Sequence, residues 1–185
     1  MSISAALKEE LAGRYSSIKE FSLPEKVDIG SRAPFSIEGH LDSEVDWPNF
    51  AIGIFYIDGP ADELTVTVEG REFKVSRNMG VVKYAKPREG ELQPCLTLTM
   101  SGDVLIEEEG SYRLSAMTGW FDEENNVLYY DDKIDKTLEG VTPGLPWWII
   151  ALAGGAAAIA VVGGVVAYQE RRREEELIMA LLARR

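Results

Sequence analysis

Carboxylates are the only side chains abundant enough in this chain to suggest chemistry. They cluster at Asp42/Glu44/Asp46, Asp58/Asp62/Glu63, Glu107 to Glu109, Asp122 to Glu124 and Asp131/Asp132/Asp135. Calcium asks for about six to eight oxygens at about 2.3–2.6 Å. The residues best placed along the chain to supply them are Asp122, Glu124, Asp131 and Asp132, around the loop ending at Asn126. No calcium-loop consensus frames them, so the expectation is no metal and no cofactor. Paired carboxylates also share acid and base work when a cleft brings them together. Other catalytic types are scarce: His40 is the one histidine and Cys95 the one cysteine. A Ser-His-Asp or Cys-His site would have to run through His40. That residue alternates with Phe35, Ile37, Gly39 and Leu41, which turns it to the outer face. Cys95, after Pro94 at a strand start, reads as a small buried or half-buried filler. One His and one Cys cannot assemble a zinc site of the usual ligands. The expectation is therefore a non-enzymatic protein; a carboxylate-dependent enzyme is the alternative that a cleft with two acids of raised pKa would favour.

The elements that would position these groups are short and mostly of period two. Residues 3–18 are the exception. Ile3, Leu7, Leu11, Tyr15 and Ile18 recur at steps of four, four, four and three, which predicts an amphipathic helix within residues 1–20. From Phe21 the pattern alternates: Phe35-x-Ile37-x-Gly39-x-Leu41, then Phe50-x-Ile52-x-Ile54-x-Tyr56. Phe55 and Ile57 load the other face of that second stretch, so it should be a central strand covered on both sides. Leu64-x-Val66-x-Val68 turns at Glu69-Gly70 and returns through Phe73-x-Val75, a hairpin signature. Weaker strands follow at Val81 to Tyr84, at Leu96 to Met100 (ending at Ser101-Gly102-Asp103), from Tyr112, and from Val127 to about Ile134. Seven or eight short strands with regular turns predict a mainly β antiparallel sandwich over residues 21–137.

One heptapeptide adds a resemblance. Glu108-Glu109-Gly110-Ser111-Tyr112-Arg113-Leu114 resembles the acidic-x-Gly-x-Tyr-x-apolar lead-in to strand F of immunoglobulin-like and fibronectin-type-III-like sandwiches. The resemblance implies that Tyr112 makes the tyrosine corner, its hydroxyl returning to backbone a few residues upstream. Two departures are plain: Leu114 stands where an immunoglobulin domain has its second cysteine, and Trp47 precedes the candidate C strand. The likeness is to disulfide-free sandwiches in the broad sense.

The rest of the chain points to a bilayer. Residues 147–168, WWIIALAGGAAAIAVVGGVVAY, hold no charge and as a helix would extend about 33 Å, enough for a hydrocarbon core of about 30 Å. Trp147 and Trp148 at one end and Tyr168 at the other suit the interfaces, and Arg171, Arg172 and Arg173 follow as a stop-transfer flank. Residues 138–146, rich in Pro and Gly, form a stalk. Ala153, Ala157, Ala160, Gly164 and Ala167 make a small-residue seam for helix–helix contact with a second copy or a protein partner. Residues 169–185 form a charged amphipathic tail. The three arginines favour a cytoplasmic C-terminus and an extracytoplasmic sandwich, although residues 1–18 lack the basic and apolar regions of a signal peptide.

Net charge is −12; the tail after Tyr168 has five Arg against four Glu, leaving −13 on the remainder. Such acidity repels nucleic acid. Together these features predict a single-pass, membrane-anchored interaction or assembly module, such as an accessory subunit of a membrane or surface complex, with a structural component of a surface layer or virion as the alternative.

Overall fold

Period-two alternation runs through nearly every described segment, and the chain answers with strands. The structure is a computed structural model describing residues 2–10, 15–88 and 91–144. Among these residues there are eleven strands and no helix: β1 (Ser2–Glu10), β2 (Ser16–Ser22), β3 (Lys26–Asp28), β4 (Arg32–Leu41), β5 (Phe50–Asp58), β6 (Glu63–Val68), β7 (Arg71–Ser76), β8 (Met79–Ala85), β9 (Thr97–Leu105), β10 (Gly110–Asp122) and β11 (Val127–Val141). One sheet runs β2-β4-β9-β6-β7 and the other β1-β8-β5-β10-β11-β3. When β2, β4, β5, β6, β9, β10 and β11 are taken as strands A to G, these orders contain the A-B-E-D and C-F-G neighbours of an immunoglobulin sandwich. β7 and β8 are interposed between D and E. The β6–β7 hairpin turns on Glu69 and Gly70, at φ 52° and 75°, the left-handed pair that a two-residue turn requires.

Three expectations need correction. The amphipathic helix over residues 3–18 is absent from the described part of that segment, which lies in β1 and β2 instead. A step of four fits a helix face, but it is also twice the strand period, and Ile3, Ala5 and Leu7 share one face of β1. The stalk begins later than predicted, because β11 continues to Val141 through its ladder with β10. Likewise β9 runs through Ser101-Gly102-Asp103 without a turn.

Two apolar cores result. Between the sheets lie Phe35, Ile37, Ile52, Ile54, Val66, Val104, Leu114 and Ala116, all buried. On the far face of the second sheet, Ala51, Phe55, Val82, Met117, Phe121 and Leu128 form another. Residues 50–56 of β5 are accordingly buried on both faces, at roughly 1.5–3 kcal/mol for each large side chain removed from water. The second core exists because that sheet rolls up. Thr118 pairs with Asp132 and Gly119 with Tyr130, so Asp131 is an extra residue in the ladder, and such a bulge bends its hairpin. Gly119 permits the bend: a Cβ there would stand 2.1 Å from the Tyr129 carbonyl oxygen. Strand β1 then closes the ring, antiparallel to β8 through Ser2 to Ala6 and parallel to β11 from Ala6 to Glu10.

Candidate functional site

The bulge turns Asp131 inward, and the carboxylate becomes a pin between the two sheets. Asp131 is 3% exposed. Its Oδ2 accepts from the Tyr15 amide at 2.7 Å, the Ser16 amide at 2.6 Å and the Ser16 hydroxyl at 2.9 Å. Because the Ser16 hydroxyl donates there, it accepts from the Thr118 hydroxyl, 2.9 Å away. The adjacent Asp132 accepts the Ile18 amide at 2.9 Å. Two neighbouring carboxylates of β11 thus cap amides at the start of β2 that its partner β4 does not use, a neat way to seal a sheet edge.

Aromatic rings surround this pin. Tyr15, 41% exposed, meets Trp47 edge-on at 5.8 Å, while Trp120 and Tyr129 stack at 4.7 Å. Asn49 exchanges backbone and side-chain hydrogen bonds with Phe121, so the loop carrying Trp47 is tied beside Trp120. The Tyr15 carbonyl accepts from the Asp42 amide at the other end of that loop. Polar atoms are left over here. Asn49 Oδ1, Gln93 Oε1, Trp120 Nε1 and Asp131 Oδ1 are buried without a hydrogen-bond partner, although buried polar groups normally find one. The paired stretch of β11 from this pin to Val141 is ten residues, about 33 Å of strand.

The opposite end is closed. Tyr112, fully buried, donates its hydroxyl to the Glu108 carbonyl at 2.8 Å, a return to the main chain four residues upstream. Tyr56 does likewise with the Ala61 carbonyl at 2.7 Å, and the two rings lie 6.3 Å apart. Burial raises both phenols above their ordinary pKa.

No protein-family model matches the chain, and no curated protein matches its sequence. Solved β-rich domains resemble it. AvmM, described as catalysing macrocyclization in alchivemycin A biosynthesis, is 12% identical over 76% of this chain and 99% of its own, with TM-score 0.43. The CARDB domain of PF1109 from Pyrococcus furiosus, solved with di-metal ions, is 17% identical over 72% and 100%, TM-score 0.33. A cohesin module of a Clostridium perfringens family 33 glycoside hydrolase is 17% identical over 69% and 96%, TM-score 0.35. At such values the likeness carries no activity or ligand across.

The residues singled out for chemistry are not brought together. Asp122 holds its own turn, accepting the Glu124 and Asn125 amides at 3.1 Å and the Asn125 side chain at 2.7 Å. Asp131 and Asp132 face β2 instead. Among the described residues no three His, Cys, Asp or Glu side chains are grouped to hold a metal ion, so the calcium set Asp122, Glu124, Asp131 and Asp132 is not assembled. His40 bonds Thr97 through Nδ1 at 2.7 Å on the outer side of the first sheet. Cys95 is exposed, a correction to its expected burial: its neighbours Gln93 and Leu96 take the inward positions there. A shallow cleft of about 230 Å³ is lined by Glu20, Glu38, Glu69 and Lys83 among others. There the Lys83 ammonium holds Glu69 below the usual glutamate range, opposite to what a general acid needs.

Trp147, Trp148, Tyr168, Arg171, Arg172, Arg173 and the seam of Ala153, Ala157, Ala160, Gly164 and Ala167 lie outside the described residues; no helix among the described residues is long and apolar enough to cross a membrane. Sequence reasoning missed the Asp131 pin. Two signals were present: an isolated Gly119 inside an apolar strand, which suggests a bulge, and the adjacent carboxylates Asp131-Asp132 opposite it.

Proposed function

We propose that the chain is a membrane-anchored interaction module that meets a protein partner through the Asp131 end of its sandwich. Residues 147–168 serve as the anchor, with Arg171, Arg172 and Arg173 on the cytoplasmic side and the sandwich outside. The observation that carries the contact face is the gathering, at one end, of the part-exposed Tyr15–Trp47 pair and the stacked Trp120–Tyr129 pair. Tyr and Trp dominate protein-binding hot spots because they bury large area at low entropic cost. The small-residue seam adds a helix–helix contact within the bilayer.

The test has two arms. Alkaline extraction of membranes should leave the full chain in the pellet and release a chain lacking residues 147–168; release of the full chain would remove the anchor. Photo-crosslinking amino acids at Tyr15 and Trp47 should give the same discrete adduct in the source membrane, and one at Lys74 on β7 should not. Adducts at all three positions, or at none, would count against this end as the contact face. For the seam, Gly164→Leu should weaken association in a membrane two-hybrid assay.

A further inference from the structure

We infer that β1 is an exchangeable strand, and that a second copy of this chain can donate its own Ser2–Glu10 segment into the groove between β8 and β11. Three observations converge. First, β1 fills a gap between two strand edges, pairing with β8 along one half and with β11 along the other. Without it both edges and the apolar floor of Phe55, Met117, Phe121 and Leu128 would be open, a site made for an added strand. Second, the strand is held mainly through its backbone, with Ile3 and Leu7 only partly buried on the floor. Of its described side chains only Ser2 and Ala5 are buried, so most of the apolar area belongs to the groove. Third, the rest of the fold does not depend on its connection. The chain from Glu10 to Tyr15 is a link of four residues, and Asp131 fixes Tyr15 and Ser16 on the far side of it. Releasing β1 leaves β2 pinned in place. An exchanged strand restores every native contact and changes only which copy supplies it, which is why such swaps cost little. The occupant is the same sequence by construction, so no foreign complementarity is needed.

Disulfide trapping tests this on the full-length chain in detergent, in a Cys95→Ser background because Cys95 is exposed. Ser2 and Lys83 are register partners across β1 and β8. One population carries Ser2→Cys, another Lys83→Cys; they are mixed, incubated and oxidised. Exchange predicts a mixed disulfide dimer in about tenfold excess over either like-with-like dimer, a ratio of pairing preference and not of collision. A chain carrying both substitutions should close internally when dilute. Closure of that chain without a mixed dimer overturns the proposal. A labelled peptide copying residues 1–10 gives a second readout. Its uptake by the full chain, abolished by Ala5→Glu in the peptide, supports exchange even where the disulfide geometry fails; absence of both signals sinks it.

Discussion

The two ends of the sandwich solve the same problem by different means. Each brings polar side chains into an apolar interior. At the Tyr112 end the hydroxyls of Tyr56 and Tyr112 return to carbonyls five and four residues away, so each loop satisfies itself. At the Asp131 end a carboxylate reaches amides 115 and 116 residues distant, and some buried polar atoms around it stay unpaired. A self-contained end can be built from local sequence and is finished when it folds. The other joins β2 to the β10–β11 hairpin only after the sheets have met, and it presents an aromatic pair at its surface. That contrast is why the second end, and not the first, is the proposed contact face.

The comparison breaks most sharply at Asp131. Asp131→Ala strands the buried Ser16 amide and hydroxyl and the part-buried Tyr15 amide, offset in part by removing a buried carboxylate, and should cost about 3 kcal/mol of unfolding free energy. Asp131→Asn keeps an acceptor and should cost about 1 kcal/mol. Chemical denaturation of both variants decides; equal, negligible losses would mean that the pin is ornamental. Combining Asp131→Ala with Ser16→Ala should be non-additive by more than about 0.5 kcal/mol, since one network holds both. At the other end, Tyr112→Phe removes one hydrogen bond without a cavity and should cost about 1.5 kcal/mol. A larger loss than Asp131→Ala would reverse the ranking of the two ends.

The smallest effect belongs to the surface. The Lys86 ammonium and then the Tyr84 hydroxyl hold Glu123 below the ordinary glutamate value. A carboxyl whose pKa is depressed by folding supports the fold above its unfolded pKa, and that support is lost as pH falls through the folded value. Glu123→Gln should therefore lower the melting temperature slightly near neutral pH and leave it unchanged in strong acid, with the difference shrinking in salt. A gap that widens in acid would contradict the sign. Because Lys86 and Glu123 are exposed, the loss should stay small.

The strands β4, β5, β6, β7 and β10 were legible because their alternation is local and strong, and β5 announced its double burial through Phe55 and Ile57 beside Ile52 and Ile54. The tail end of β11 was hidden by Gly140 and by the Pro/Gly run just after it. β1 was misread because Ile3 and Leu7 satisfy two periods at once, and Ala5, too small to vote, was the residue that distinguished them. Of the candidate site, the aromatic rings were visible as residue types, but nothing in the chain said that Tyr15, Trp47, Trp120 and Tyr129 would gather at one end.

By itself, the order of residues determined a mainly β sandwich over residues 21–137, an acidic composition, and an uncharged apolar run at residues 147–168. Each follows from composition and short-range period, which act between residues only a few positions apart. What the tertiary structure alone decided was the closure: that β1 spans two strands, that the bulge at Asp131 rolls a sheet into a second core, and that one carboxylate ties residues 15 and 16 to residue 131. Those contacts join parts of the chain that share no local pattern, and their energy appears only when distant backbone amides, with no other partner, are buried beside an acceptor.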